Sequence, residues 1–331
     1  MKRNRALPLL LIALWLALSC GAWAQLAPAP EGTFTVAVLP DTQNYSATQP
    51  DIYNTITRWI VDSKETQRIV FVAHTGDIVD KASDEAQWIN ARRAMDTIHG
   101  VIPYGLGVGN HDMRAADGDK TLFEKYFGKE RYASFDWYGG SRDNNGNSYQ
   151  LFSAEGMDFI VLHLECNAPD KVLEWASGVL EAHADRHAII ATHMWAGPLL
   201  QPKDNAGFLT DPKGRMQWKK CNGKLGNTPQ QIYDKLVYPH AKVFLVLSGD
   251  QSRTQSMTIT STGAQGNTIH ELMCDIREGY IRLLRFVPKE SRLEVMTYSP
   301  TLGHTCPGTK IVPEPEKHQF TLRLDFGASA K

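Results

Sequence analysis

The chain has 331 residues, 42% of them hydrophobic and 21% charged, with a formal net charge of -1 at pH 7. That length and apolar content support a large buried core and exclude a disordered or fibrous chain. A nearly balanced charge excludes capture of nucleic acid by a strong basic field, so no specific nucleic-acid partner is indicated.

The first predicted element is a leader. MKRNR is a basic stretch, Ala6 to Ser19 an apolar run, and Ala22-Trp23-Ala24 puts small residues at the two positions a signal peptidase reads. Residues 1–24 are therefore predicted to be a secretory signal peptide cleaved before Gln25. The apolar run is too short for a membrane anchor, which needs about 20 residues, and Ala17-Leu18-Ser19 is an imperfect lead-in for lipid attachment at Cys20. The mature chain is expected to be secreted or periplasmic, with no transmembrane segment. Loss of Lys2, Arg3 and Arg5 takes its formal charge from -1 to -4. Cys166, Cys221, Cys274 and Cys306 remain, an even set that in an oxidising compartment allows two disulfides in three unranked connectivities, or buried thiols. Their irregular spacing argues against a zinc knuckle.

After a linker over 25–32, one domain is expected over 33–331, with its motifs in 41–252 and a strand-rich part from 253 onward. Apolar periodicity predicts a strand at Thr33 to Leu39, a helix at Ile52 to Glu65, a strand at Ile69 to Ala73, a helix at Ala86 to Ile98 and a strand at Ile102 to Val108. Asn145-Gly146 reads as a turn ahead of strands at Ser148 to Phe152 and Phe159 to His163, followed by a helix at Lys171 to Ala184 and a strand at Ala188 to Thr192. Leu199 to Asn227 has no period and reads as a long, functional surface loop. Beyond the apolar run that ends at Ser248, strands are predicted at Met257 to Ile259, His270 to Ile276, Ile281 to Val287, Leu293 to Tyr298 and Phe320 to Leu324. Strands alternating with helices indicate an α/β class.

Five of the apolar runs end on metal-binding or proton-handling side chains: Asp41 and Gln43, Gly76-Asp77, Asn110-His111, His193, and Gly249-Asp250. A lone Gly-Asp is usually a turn or a cap. Five similar placements, at the strand ends where α/β folds gather ligands, point to one polyvalent oxygen and nitrogen site.

Asp41-x-Gln43, Gly76-Asp77-Ile78-Val79-Asp80, Gly109-Asn110-His111-Asp112, His193 and Gly249-Asp250-x-Ser252 together resemble the five ordered motifs of the calcineurin-like metallophosphoesterases. The second and third match fully. The resemblance implies a four-layer αββα sandwich of two mixed sheets holding two metal ions. Asp77 would bridge them, Asp41 and Gln43 would serve the first, and Asn110, His193 and Asp250 the second. His111, steadied by Asp112, would be the acid toward the leaving group, and Asp80 would support the site from outside. The implied reaction is hydrolysis of phosphomono- or phosphodiesters by metal-bound hydroxide.

Gln43, Asp250 and Ser252 stand where that family carries histidines. An oxygen-rich shell with one imidazole shifts preference from Zn toward Mn, Mg, Fe or Ca, and one ion is expected to bind tightly and the other weakly or only with substrate. The same substitutions leave open a member that binds metal or a phosphorylated ligand without turnover. Trp195 is a candidate to stack on substrate, His74, His163 and Glu165 to border the pocket, Asn44 and Tyr45 to touch substrate, and Lys213, Arg215, Lys219 and Lys220 to attract phosphate. The sequence does not identify the substrate beyond a phosphate ester, and it leaves the oligomeric state open.

Overall fold

The computed structural model describes residues 26–325. The predicted leader and Cys20 lie outside the described residues. These form two seven-stranded sheets and a two-stranded one.

The first sheet contains β1 (Phe34–Leu39), β2 (Ile69–His74) and β3 (Tyr104–Leu106), all parallel. The second is built from β4 (Tyr138–Arg142), β5 (Asn147–Ala154), β6 (Met157–His163), β7 (His187–Ala191), β10 (Val243–Ser248), β11 (Ser256–Thr262) and β12 (Thr268–Cys274). Within it β6, β7, β10 and β12 run parallel to one another. The chain then returns to extend the first sheet antiparallel to β1, through β13 (Ile281–Val287), β14 (Arg292–Ser299), β15 (His304–Thr305) and β16 (Gln319–Arg323). Both sheets are thus mixed.

The central strands β1, β2, β7 and β10 are buried on both faces, which is why they read as nearly continuous apolar runs. On β1, Phe34, Val36 and Val38 face the other sheet while Ala37 and Leu39 face the helices. On β6, Phe159 and Val161 point inward and Ile160 and Leu162 outward, as the period of two requires. The inner layer holds a stack of Phe34 on Phe286 with centroids 4.6 Å apart.

Helices α1 (Gln43–Thr48), α2 (Pro50–Asp62), α3 (Glu85–Asp96) and α4 (Thr121–Phe127) cover the first sheet, and α5 (Asp170–Ala182) covers the second. In α2 the buried positions Tyr53, Ile56, Thr57 and Ile60 follow helical spacing, and Pro50 opens it. Asp84 caps α3 by accepting from Ala86 N at 3.1 Å. The result is a four-layer αββα sandwich. No described helix is long and apolar enough to cross a membrane.

Residues 199–227 are more ordered than their composition suggests: β9 (Lys213–Arg215) pairs with β8 (Ala196–Pro198) as a small hairpin. The four cysteines are buried free thiols. No disulfide forms among the described residues.

Candidate metal centre

Six parallel strands, three from each sheet, end at one edge of the sandwich: β1, β2 and β3 before Asp41, Asp77 and Asn110, and β7, β10 and β12 before His193, Asp250 and Asp275. The turns that follow are shaped for close approach. Gly76 and Asp77 both have positive φ, +100° and 51°, and a Cβ on Gly109 would lie 2.1 Å from Asp77 Oδ1. A Cβ on Gly249 would lie 2.1 Å from Asp41 Oδ1. Glycine at 249 therefore lets the two sheets' loops meet around the Asp41 carboxylate, which also accepts from Asp250 N at 3.2 Å.

Ligand atoms of Asp41, Asp77 and His193 all lie within 4.8 Å of one another. His193 is fully buried. Its Nδ1–H donates to the Thr75 carbonyl at 3.0 Å, which fixes the tautomer and turns Nε2 toward Asp77 Oδ1 at 3.1 Å and Asp250 Oδ1 at 3.4 Å. Nε2 satisfies no hydrogen bond there. Asn110 Oδ1 and Gln43 Oε1 are likewise buried without a partner. An orphaned buried donor or acceptor costs about 1–3 kcal/mol; His193 Nε2 lies against two carboxylates and Gln43 shares a cavity with Asp41 and Asp77, so a cation held there would satisfy both.

Asp41, Gln43, Asp77, Lys220, Asp250 and Asp275 line a cavity of about 190 Å³ at this point, with His111 and Ser252 at its wall. Its electrostatics are those of an anionic cup. Burial, then the neighbouring Asp275, raises Asp41 well above the usual carboxylate range. Burial, then Asp250, pushes Asp275 up to about 7. Burial also opposes ionisation of Asp77, but His193 prevails and holds it low. Asp250 is held low against burial by Lys220, whose Nζ is in ion-pair contact with Oδ1, while Oδ2 accepts from Gln251 Nε2 at 2.6 Å.

The roles anticipated for the third motif are partly exchanged. Asp112 does not steady His111. Its carboxylate accepts from Ile78 N (2.8 Å), Val79 N (3.0 Å) and Gly109 N (2.7 Å), stapling the second and third turns together. His111 is oriented by the Asp80 carbonyl, 2.7 Å from Nδ1, with Asp80 Oδ1 at 3.7 Å. Its backbone N–H donates to Asp77 Oδ1 at 2.9 Å.

Other candidates are placed elsewhere. Trp195 is fully buried and donates to Glu271 Oε2 at 2.7 Å, so it packs and cannot stack on a ligand. Glu165 is buried in an ion pair with Lys120 at 2.6 Å, and His163 pairs with Gln150 at 2.8 Å. His74 backs the site through Thr42, 3.0 Å away. Tyr45 is buried and accepts the Gly279 N–H at 2.8 Å. Arg215 is spent on Glu271, at 2.5 Å, and Lys219 on the Gly226 carbonyl; of the loop cations, Lys220 is the one that enters the cavity. Asp275 was missed because the strand pattern reads through it to Ile276. Its signal is the same as for Asp250, an aspartate directly after an apolar run.

The sequence profile of the calcineurin-like phosphoesterases matches residues 34–223. Over 284 residues the chain is 32% identical to the uncharacterised protein YvnB of Bacillus subtilis (strain 168), a match that takes in 82% of this chain and 20% of that protein's length. The fold superposes on a purple acid phosphatase from yellow lupin (Lupinus luteus) seeds with a TM-score of 0.54 at 14% identity, over 92% of this chain and 56% of that one. A 5'-nucleotidase precursor from Thermus thermophilus gives 0.46 at 12% identity, over 83% and 53%.

Proposed function

Since the chain belongs to the calcineurin-like phosphoesterase family, we propose that it hydrolyses phosphomono- or phosphodiesters at a divalent-metal centre between its sheets. The observation that carries this reading is the approach of Asp41, Asp77 and His193 ligand atoms to within 4.8 Å of one another, with His193 Nε2 lacking a hydrogen-bond partner there and Gln43 Oε1 and Asn110 Oδ1 buried without one. Asp41, Gln43 and Asp77 would hold one cation; Asp77, Asn110, His193 and Asp250 would hold the other. When bound, a pair of such ions neutralises phosphoryl oxygens and acidifies water.

The protein's own groups do the rest. Asn110 contributes an oxygen without adding charge that would repel phosphate. His111, with Nδ1–H donated to the Asp80 carbonyl, presents Nε2 as the nitrogen that gives a proton to the leaving oxygen, an effect worth about 10² to 10⁴ in rate. Lys220 offsets the Asp250 charge at the cavity wall. The oxygen-rich donor set supports Mn, Mg, Fe or Ca over Zn. The basic and apolar leader pattern supports export, and N-terminal sequencing of the mature chain should begin at Gln25.

The deciding experiment is hydrolysis of a chromogenic phosphomonoester and diester across a panel of divalent metals, with Asp77→Asn and Asn110→Ala as controls. Metal-dependent turnover lost in both variants is expected. Metal uptake with no turnover on any ester would replace hydrolysis by binding alone.

A further inference from the structure

We propose that Asp275 is a ligand of the first cation, a carboxylate supplying the donor lost where Gln43 and Ser252 replace imidazoles. This rests on the phosphoesterase reading of the centre and extends it to a residue outside the recognised motifs.

Placement comes first. β12 lies parallel beside β10, so Asp275 follows Cys274 at the same sheet edge where Asp250 follows Gly249. Its carboxyl group lines the same cavity as the Asp41 carboxylate. Two buried carboxylates facing one small cavity repel unless a positive charge lies between them.

Among the described residues no basic side chain forms an ion pair with Asp41 or Asp275: Lys220 is engaged by Asp250, and Arg253, which also lines the cavity, lies over the Phe208 ring. Asp112 shows what a structural carboxylate does here, accepting three backbone N–H groups; the Asp275 carboxyl accepts none among the described residues. Its own N–H is fixed by the Gln255 carbonyl at 2.9 Å, which aims the residue into the cavity.

Two further atoms point to an ion rather than a shared proton. His193, fully buried, directs a partnerless Nε2 into the same carboxylate cluster, and Gln43 Oε1 is partnerless on the Asp41 side. With Asp275 the first cation gains the oxygen set Asp41, Gln43, Asp77 and Asp275, hard donors suited to Mn²⁺ or Mg²⁺.

The test is Mn²⁺ stoichiometry and affinity, by elemental analysis and calorimetry, on the wild-type chain and on Asp275→Asn, with thermal melts in EDTA confirming the fold. Asp275→Ser is the second variant should the first aggregate. The wild type should bind two equivalents. The variant should keep one and weaken the other by more than about 100-fold, beyond what loss of an outer hydrogen-bond partner to a ligand costs. Two equivalents bound by a folded variant with unchanged affinity would overturn the assignment while leaving the metal centre intact. A wild-type chain that takes up no manganese would instead refute the proposed function, and this assignment with it.

Discussion

Lys220→Met isolates the least expected contact of the centre. The Asp250 side chain is 1% exposed and in ion-pair contact with the Lys220 ammonium. A pair at about 3 Å and an effective dielectric constant of about 20 attracts by roughly 5 kcal/mol, and breaking a buried pair from one side costs about 3–5 kcal/mol because the other charge is stranded. In EDTA at pH 8 the variant should lose about 3 kcal/mol, or about 6–12 °C in Tm at the sensitivity of a larger domain. Metal binding should respond in the opposite sense. Removing the Lys220 charge from the cavity that would hold a divalent ion relieves their mutual repulsion, so the Kd for Mn²⁺ should fall. Melts with EDTA and with saturating Mn²⁺, together with calorimetric titration, read both effects, and the gap in Tm should close when Mn²⁺ is present. A variant that is as stable as wild type in EDTA, or that binds Mn²⁺ more weakly, would refute the assignment of Lys220 as a charge counterweight.

His111→Ala should slow hydrolysis of an alkyl phosphate by about 10² to 10⁴ while sparing a nitrophenyl ester, whose leaving group needs no proton; equal losses on both would remove His111 from that role. Gly249→Ala should displace Asp41, whose Oδ1 would lie 2.1 Å from the new Cβ, costing about 1–3 kcal/mol and weakening Mn²⁺ uptake. Gly178→Ala in α5, where the new Cβ meets nothing within 4 Å, should instead be neutral or stabilising by up to about 1 kcal/mol. Burial lowers His163 to about 3, against about 6.5 unfolded. Its contribution is therefore complete above about pH 6.5 and is lost at about 1.4 kcal/mol per unit as pH falls toward 3. His163→Gln should flatten the acid side of the Tm profile relative to wild type, and an unchanged slope would count against a neutral buried imidazole.

The parts of the site legible in the sequence are those where one strand end carries its own chemistry. VAVLP before Asp41, IVFVAHT before Gly76-Asp77 and FLVLSG before Asp250 each join an apolar run to a ligand within a few residues, and period-two burial then fixes which edge they reach. What escaped was set by partners distant in sequence. His111 lies 31 residues from the Asp80 carbonyl that orients it, so the resemblance, which implied support from Asp112, named a different partner, and the turn geometry gives Asp112 three backbone donors instead. Lys220 meets Asp250 across 30 residues and could not be separated from Lys213, Arg215 and Lys219 by composition. Only the hairpin of β8 and β9, which commits Arg215 to Glu271, decides which cation is left to enter the cavity. Asp275 was hidden because a buried strand and a strand-end ligand look alike until the last paired residue, Cys274, is known.

The residues that replace histidines change how charge governs the site. With His193 neutral and every carboxyl ionised, Asp41, Asp77, Asp250 and Asp275 against Lys220 and Arg253 leave the cavity at a formal charge of -2, four negative charges against two positive. One divalent cation brings this to zero, which offers a phosphate ester no net attraction, and only the second makes it positive. A centre in which Gln43, Asp250 and Ser252 were histidines, and Asp275 and Lys220 were absent, would start at -1, two carboxylates against Arg253, and become positive with the first cation. Substrate capture here is thus tied to full metal occupancy more steeply than in an imidazole-built site. A lysine inside a cation-binding cavity weakens each metal, yet without Lys220 two cations would leave a charge of +1 in place of +2, so the same ammonium that opposes the metals strengthens the net attraction for phosphate.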